Sequence, residues 1–260
     1  MTRVALVQVD VSDSESPQVR VKRVLELVRD QQGKCDLVVL PELWNVGAFN
    51  NQALRSYAQP RDGELVSAMC DLAKETGLWL HGGSFVELHD GDKLSNTSAL
   101  IRPDGTVATF YRKIHLFGFD TGEAVMLARG NDVIVENDTP VGRAGIATCY
   151  DLRFPELFRS QCANGAQTFI MCSGWPIPRI NHWRVLIQAR AIENQAWFIA
   201  CNEVGQNGEY TLGGHSMVVS PKGEIIVEAG TEEEIIYADI DLDLVEQWRK
   251  DFPILRDRVL

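Results

Sequence analysis

Short runs of Val, Ile, Leu and aromatic residues recur along this chain, and between several of them lie longer stretches with apolar residues at helical spacing. The short runs predict strands over residues 3–9, 36–40, 78–86, 97–101, 107–112, 144–150, 167–172, 197–202, 214–219, 225–228 and 235–239. The periodic stretches predict helices over 16–32, 64–76, 154–163, 181–195 and 242–250, the second stopped by Gly77 and the third near Gly165. Turn signals at Asp90-Gly91, Asp104-Gly105, Asn164-Gly165, Asn207-Gly208 and Lys222-Gly223 punctuate the runs. Trp183, Leu186, Ile187 and Ala191 give the fourth helix one apolar stripe to bury against a sheet. The order mixes β-α-β units with hairpins, so the expected architecture is α/β, with sheets covered by helices. No linker, low-complexity tract or heptad run divides the chain, and one domain over 1–260 is expected.

Composition narrows the classes. The chain has 260 residues, 45% of them hydrophobic, which is enough for one well-filled core. Its net charge of -11 and the lack of a basic stripe argue against nucleic acid as a partner, because phosphate backbones demand clustered Lys and Arg. The apolar stretch at the N-terminus is too short for a signal peptide, and no segment approaches the ~18 apolar residues of a membrane span. A cytoplasmic protein is expected. The six cysteines show neither a C-x-x-C pair nor metal-ligand spacing, so they are expected as free thiols, five of them serving as small buried apolar residues.

Cys149 is the exception. It ends an apolar run and is followed by Asp151, Arg153, Pro155 and Glu156, which do not continue a core strand. A sulfur between a strand end and a helix start is exposed to a reaction partner and has backbone N–H groups aimed the same way. Glu42 follows the apolar run 37–41 and places a carboxylate at the carboxyl end of a strand, where open α/β sheets bind ligands; a lone Glu is more often a solvated loop residue. There it would serve as general base and return the proton to a departing amine. Lys113 ends another strand, where its charge, with the Tyr150 N–H, would neutralise an oxyanion; taken alone it would more often be a surface cation. His115 and His215 are expected to pack or hydrogen-bond rather than react. Ser84 and Ser216 lack the G-x-S-x-G elbow, and no nucleotide-binding glycine loop is present.

The runs around Glu42, Lys113 and Cys149 resemble the three motifs of the nitrilase superfamily, the carbon-nitrogen hydrolases, in the same chain order. The resemblance extends through Trp183 to Asn194, to Gly214-His215-Ser216-Met217 and to Pro221-Lys222-Gly223-Glu224, and so covers essentially the whole chain. It implies a four-layer α-β-β-α sandwich that pairs into a homodimer or higher homo-oligomer, with Glu42 as base, Lys113 as oxyanion holder and Cys149 as nucleophile. A second glutamate near the site is also implied, and Glu123 is its best match, with a surface salt bridge as the alternative. No metal or organic cofactor is required.

Within that superfamily, Cys172-Ser173-Gly174-Trp175-Pro176 with Arg179 resembles the corresponding stretch of omega-amidases, which implies a small oxo-acid amide (2-oxoglutaramate or 2-oxosuccinamate) as substrate, with Trp175 and Arg179 at the binding site. Arg179 would hold the distal carboxylate in a bidentate pair, or else is a surface Arg. Other small amides, such as deaminated glutathione or an N-carbamoyl compound, are the alternative. Nitrile hydrolysis ranks lower because Cys149-Tyr150-Asp151 differs from the Cys-Trp-Glu form of true nitrilases. A catalytically silent binding protein ranks lowest, since Glu42, Lys113 and Cys149 are all intact.

Overall fold

The computed structural model describes residues 1–259. Its first half runs β1 (Thr2–Gln8), α1 (Pro17–Arg29), β2 (Leu37–Val39), α2 (Asn51–Ser56), α3 (Glu64–Thr76), β3 (Trp79–His89), β4 (Lys93–Ile101), β5 (Val107–Arg112) and α4 (Glu123–Met126). The second half runs β6 (Val135–Glu136), β7 (Ala144–Thr148), α5 (Pro155–Ala163), β8 (Thr168–Cys172), α6 (Ile180–Asn194), β9 (Trp197–Cys201), β10 (Val204–Asn207), β11 (Tyr210–Gly213), β12 (Met217–Val219), β13 (Ile225–Glu228), β14 (Glu234–Ile240) and α7 (Leu242–Asp251). Local chemistry sets the helix ends. Ser16 caps α1 ahead of Pro17, and Gly77 ends α3 in the left-handed conformation.

Two six-stranded sheets form, in the orders β14-β1-β2-β3-β4-β5 and β13-β12-β9-β8-β7-β6. Each has three parallel strands at its heart, β1 to β3 and β7 to β9, joined by crossover helices and extended by antiparallel neighbours. Strand periodicity explains the layering, because alternate residues must face opposite ways. Val4, Leu6, Leu37 and Val39 join Ile146, Ile170 and Ile199 in a core between the sheets. Ala5, Val7 and Val38 face the other way, toward α1 and α3, while Phe169, Met171 and Phe198 face α5 and α6. The result is α-β-β-α. Both faces of the central strands are buried, which is why they read as continuous apolar runs.

Several boundaries differ from the sequence reading. The strand expected over 144–150 stops at Thr148, because Cys149 takes φ +47° and opens a 3-10 turn over Cys149–Arg153. The strand expected from 97 starts at Lys93, carrying buried Ser95 and Asn96 into the sheet, and the strand expected over 214–219 is only Met217–Val219. The β10-β11 hairpin, joined by Gly208-Glu209, was not anticipated as a pair of strands. Cys162, Cys172 and Cys201 are buried as expected, whereas Cys35 and Cys70 are only half-buried.

Candidate active site

The carboxyl ends of β2, β5, β7 and β8 meet at one cavity of about 310 Å³. Glu42 follows β2, Lys113 follows β5, Cys149 follows β7 and Gly174 follows β8, and all four line it, together with Glu123 from the start of α4. Of the sequence-predicted site residues, Tyr150, Trp175 and Arg179 line it as well. Glycine makes one approach possible: Gly83 (φ +64°) passes so close under Pro41 that a Cβ there would lie 2.0 Å from the Pro41 carbonyl oxygen. That contact fixes the segment carrying Glu42.

Lys113 is 1% exposed and donates from Nζ to Glu42 Oε1 at 2.7 Å and to Glu123 Oε2 at 2.6 Å. Asn96 bridges the same carboxylates, its Nδ2 donating to Glu42 Oε1 at 2.8 Å and to Glu123 Oε1 at 2.7 Å. The Gly174 N–H donates to Glu42 Oε2 at 2.8 Å, and the Phe117 N–H to Glu123 Oε2 at 3.1 Å. Glu123 is therefore a buried partner of Lys113 rather than a surface ion pair. Burial pushes its carboxyl above the usual range more than Lys113 pulls it down, with Glu42 adding to the rise. Burial alone would depress the Lys113 ammonium, but Glu123 and Glu42 overcome it and hold it well above its ordinary value. Two of the three ammonium N–H groups are committed to carboxylates. One is left to face the cavity.

Cys149 is 8% exposed, so the open position expected for its sulfur is corrected: the thiol is buried in the fold and reached through the cavity. Burial, and then the neighbouring Glu42 carboxylate, push the thiol well above its ordinary pKa, with Lys113 pulling the other way. A sulfur kept as thiol beside a carboxylate has an acceptor for its proton at hand. The left-handed backbone at Cys149 is strained for a side-chain-bearing residue. Asp151 holds it. Fully buried, Asp151 accepts from the Thr148 N–H at 3.0 Å and Tyr111 Oη at 2.6 Å, and from the His115 N–H at 3.0 Å and Nδ1 at 2.7 Å. One carboxylate thus ties the turn bearing Cys149 to the strand end bearing Lys113. The N–H groups of Cys149 and Tyr150, first in the 3-10 turn, have no acceptor within it.

The rest of the wall is aromatic and cationic. Phe49 and Tyr210 stack at 4.3 Å between centroids, and Phe117 meets Phe49 and Tyr150 edge-on. Trp175 is locked by its N–H to Asn202 Oδ1 at 2.6 Å and its Nε1 to the Arg179 carbonyl at 2.8 Å. Arg179 lies over the Phe117 ring at 5.3 Å and Arg153 over Trp175 at 4.7 Å, and neither has a carboxylate partner among the described residues. Sequence reasoning missed Asn96, Asp151, Arg153 and the Phe49–Tyr210 wall. Asp151 stood next to the singled-out cysteine, and a buried-capable carboxylate two residues after it was the available signal. His115, bonded to Asp151 and stacked on Phe154, and His215, bonded to Glu228 at 2.7 Å, take the hydrogen-bonding parts expected of them.

The chain is 39% identical to a 2-oxoglutaramate amidase of Paenarthrobacter nicotinovorans, covering 98% of this chain and 88% of that protein. It is 35% identical to the omega-amidase NIT2 of Homo sapiens, over 98% of this chain and 94% of that one. Among solved structures it is similar to Saccharomyces cerevisiae Nit3, a nitrilase-superfamily member, with a TM-score of 0.89 at 33% identity, covering 100% of this chain and 97% of that one. The carbon-nitrogen hydrolase family model matches residues 3–250, and the chain belongs to that family.

Proposed function

We propose that this enzyme hydrolyses the terminal amide of a short oxo-acid amide, with 2-oxoglutaramate as the substrate to test first. The observation that carries the reading is the convergence of Glu42, Lys113 and Cys149 on a cavity whose wall also holds two guanidinium groups without carboxylate partners. An overall charge of -11 repels anionic substrates, so a carboxylate-bearing amide needs such a local cationic anchor. The cavity would hold on the order of ten water-sized units, which suits a small substrate. The names of the two amidase relatives point to the same chemistry.

In this reading Glu42 takes the Cys149 proton as the sulfur attacks the amide carbon. The oxygen's new charge falls on the free N–H of Lys113 and on the Tyr150 N–H. Collapse of the tetrahedral intermediate expels the amine, which receives the proton from Glu42 and leaves as ammonia, and the acyl group stays on sulfur as a thioester. Water, deprotonated by Glu42, then attacks the same carbon, and the thiol re-forms as the carboxylic acid departs. Arg179, joined by Arg153, holds the distal carboxylate, and Trp175 and the Phe49–Tyr210 pair form the flat wall beside it. Glu123 and Asn96 keep Lys113 and Glu42 in register. The reading extends to a single functional domain, to a homodimer, and to a cytoplasmic setting, which the six unpaired thiols favour.

Ammonia release from 2-oxoglutaramate, followed beside a panel of other small amides, tests the proposal. Wild type should release ammonia from the oxo-acid amide in preference to the panel, and Cys149→Ala should reduce turnover to background while keeping the same thermal midpoint within a few degrees. Turnover of the oxo-acid amide by Cys149→Ala would remove the nucleophile assignment, and preference for another amide would remove the substrate.

A further inference from the structure

Glu203 lies in the connection between β9 and β10 and is fully buried, and neither of its carboxyl oxygens has a hydrogen-bond partner among the described residues. It stands directly behind the wall of the active site. A Cβ built on Gly174 would lie 2.7 Å from Glu203 Oε2 and 2.8 Å from Ala48 Cβ, so both side chains close in on the face of Gly174 where a side chain would stand. The N–H of that same Gly174 donates to Glu42 Oε2 at 2.8 Å. The neighbouring Asn202 latches the next residue, accepting from the Trp175 N–H at 2.6 Å and donating to the Trp175 carbonyl at 3.2 Å. Residues 202 and 203 therefore hold the 174–175 peptide from behind, and that peptide holds one oxygen of the base.

Charge decides the form of the side chain. The titratable groups that face Glu203 are Glu42, from the segment after β2, Arg20, from α1, and Cys201 at the end of β9, whose thiol burial holds well above its ordinary pKa. Arg20 is engaged elsewhere, donating to the carbonyls of Ser12 and Glu15 and lying 3.4 Å from the Glu15 carboxylate. The other neighbours, Gly174 and Ala48, offer no charge, and the Glu203 carbonyl accepts only the Gly214 N–H. A buried carboxylate with no donor, next to a second carboxylate, is the costlier state. Burial and Glu42 both push its pKa well above the usual range, with Arg20 opposing.

We propose that Glu203 is a positioning residue for Glu42: a neutral carboxylic acid wedged behind Gly174, which fixes the peptide that orients the base and adds no negative charge behind it. The proposal rests on Glu42 being the base, so Glu42→Gln is assayed in parallel. If that variant keeps full turnover, the base assignment fails; if it is dead, the Glu203 variants test the present proposal alone.

Two variants separate packing from charge. E203A, which removes the wedge, should lower kcat on the order of tenfold to a hundredfold with KM changed much less, since a small misplacement of a catalytic group carries that size of penalty. E203Q keeps the wedge and adds no charge, so the acid limb of its kcat/KM profile should lie where the wild-type limb lies. Full kcat in folded E203A, or an acid limb displaced to lower pH in E203Q, overturns the proposal, the latter because it would mean that a negative charge had been removed. Should E203A fail to fold, thermal denaturation of E203Q across pH still decides. A proton retained by Glu203 in the fold is released on unfolding above the ordinary carboxylate range, so wild type loses stability relative to E203Q as pH rises from about 5 to about 8. A difference that stays flat across that range means Glu203 is ionised in the fold and overturns the assignment.

Discussion

Lys113 and Arg29 each hold a pair of carboxylates, and their two clusters differ chiefly in their distance from water. Lys113 holds Glu42 and Glu123 with side chains 1%, 2% and 7% exposed; Arg29 holds Glu26 and Glu75 with side chains 37%, 67% and 53% exposed. At the surface, solvent screens the attraction and ordering long side chains offsets it, so such a cluster adds little. In the interior each charge has lost its hydration, and only its partners keep it there. A buried cluster is poor evidence of optimised stability, because apolar residues of the same size would often do as well. Its presence at the end of β5 thus calls for a chemical reason, which the adjacent thiol supplies.

The largest effect should come from breaking the buried cluster. Lys113→Met leaves two buried carboxylates facing each other, and should cost about 3–5 kcal/mol in urea denaturation as well as nearly all ammonia release. A variant of unchanged stability would mean that the cluster behaves like its surface counterpart, and would erase the distinction drawn above.

A buried ionisable group without partners sharpens the contrast from the other side. His81 in β3 is fully buried, neither ring nitrogen has a partner outside its own residue among the described residues, and burial pushes the imidazole down to about 4 from 6.5. Lys113 is kept charged by its neighbours, whereas His81 is kept neutral by their absence. Between those two values the unfolded chain binds a proton that the folded chain refuses, so stability falls as pH drops from about 6.5 toward about 4. The loss attributable to this residue is on the order of 3 kcal/mol. Subtracting the pH profile of His81→Leu from that of wild type isolates it, and parallel profiles would show that His81 charges within the fold.

Asp151 makes the next smaller test, since it keeps its hydrogen bonds but needs an acceptor on both oxygens. In Asp151→Asn the amide nitrogen must face a donor, either the Thr148 N–H and Tyr111 hydroxyl or the two His115 donors. That should cost about 1–3 kcal/mol, and turnover should fall more than KM changes because the strained Cys149 turn loosens. Wild-type turnover in this variant would show that the turn holds its shape without one of these two donor pairs.

The same contrast explains what was legible in the sequence. Apolar runs marked the central strands because both of their faces are buried, and Glu42, Lys113 and Cys149 were visible because each punctuates such a run. The polar half of the site was hidden. Ser95, Asn96, Thr97 and Ser98 form a buried polar quartet inside β4, yet strand propensity disfavours Asn, and a strand beginning at Thr97 excluded the residue that bridges Glu42 and Glu123. Arg153 was noticed only as a polar neighbour of Cys149, because no local pattern says that a turn will aim it over Trp175. Glu123 could be matched by resemblance alone, since its partners come from β4 and the end of β5, distant in the chain. Tertiary contacts, which a one-dimensional pattern does not carry, decide all three.

The smallest effect belongs to the surface cluster, and it is the control that gives the others meaning. Arg29 bonds to Glu75 and to Glu26 one helical turn away, and its bond to Glu75 holds that carboxyl below its usual range. Because every member is open to water, Arg29→Met exchanges protein contacts for solvent contacts and leaves no buried charge behind. Its thermal midpoint should stay within measurement scatter of wild type, and raising salt, which screens exposed pairs, should remove any residual difference. Ammonia release should be unaltered, since α1 and α3 carry this cluster on the outer layer, away from the cavity. If Arg29→Met instead destabilised the protein as much as Lys113→Met, burial would not be what separates the two cations, and the chemical explanation for the buried one would lose its footing.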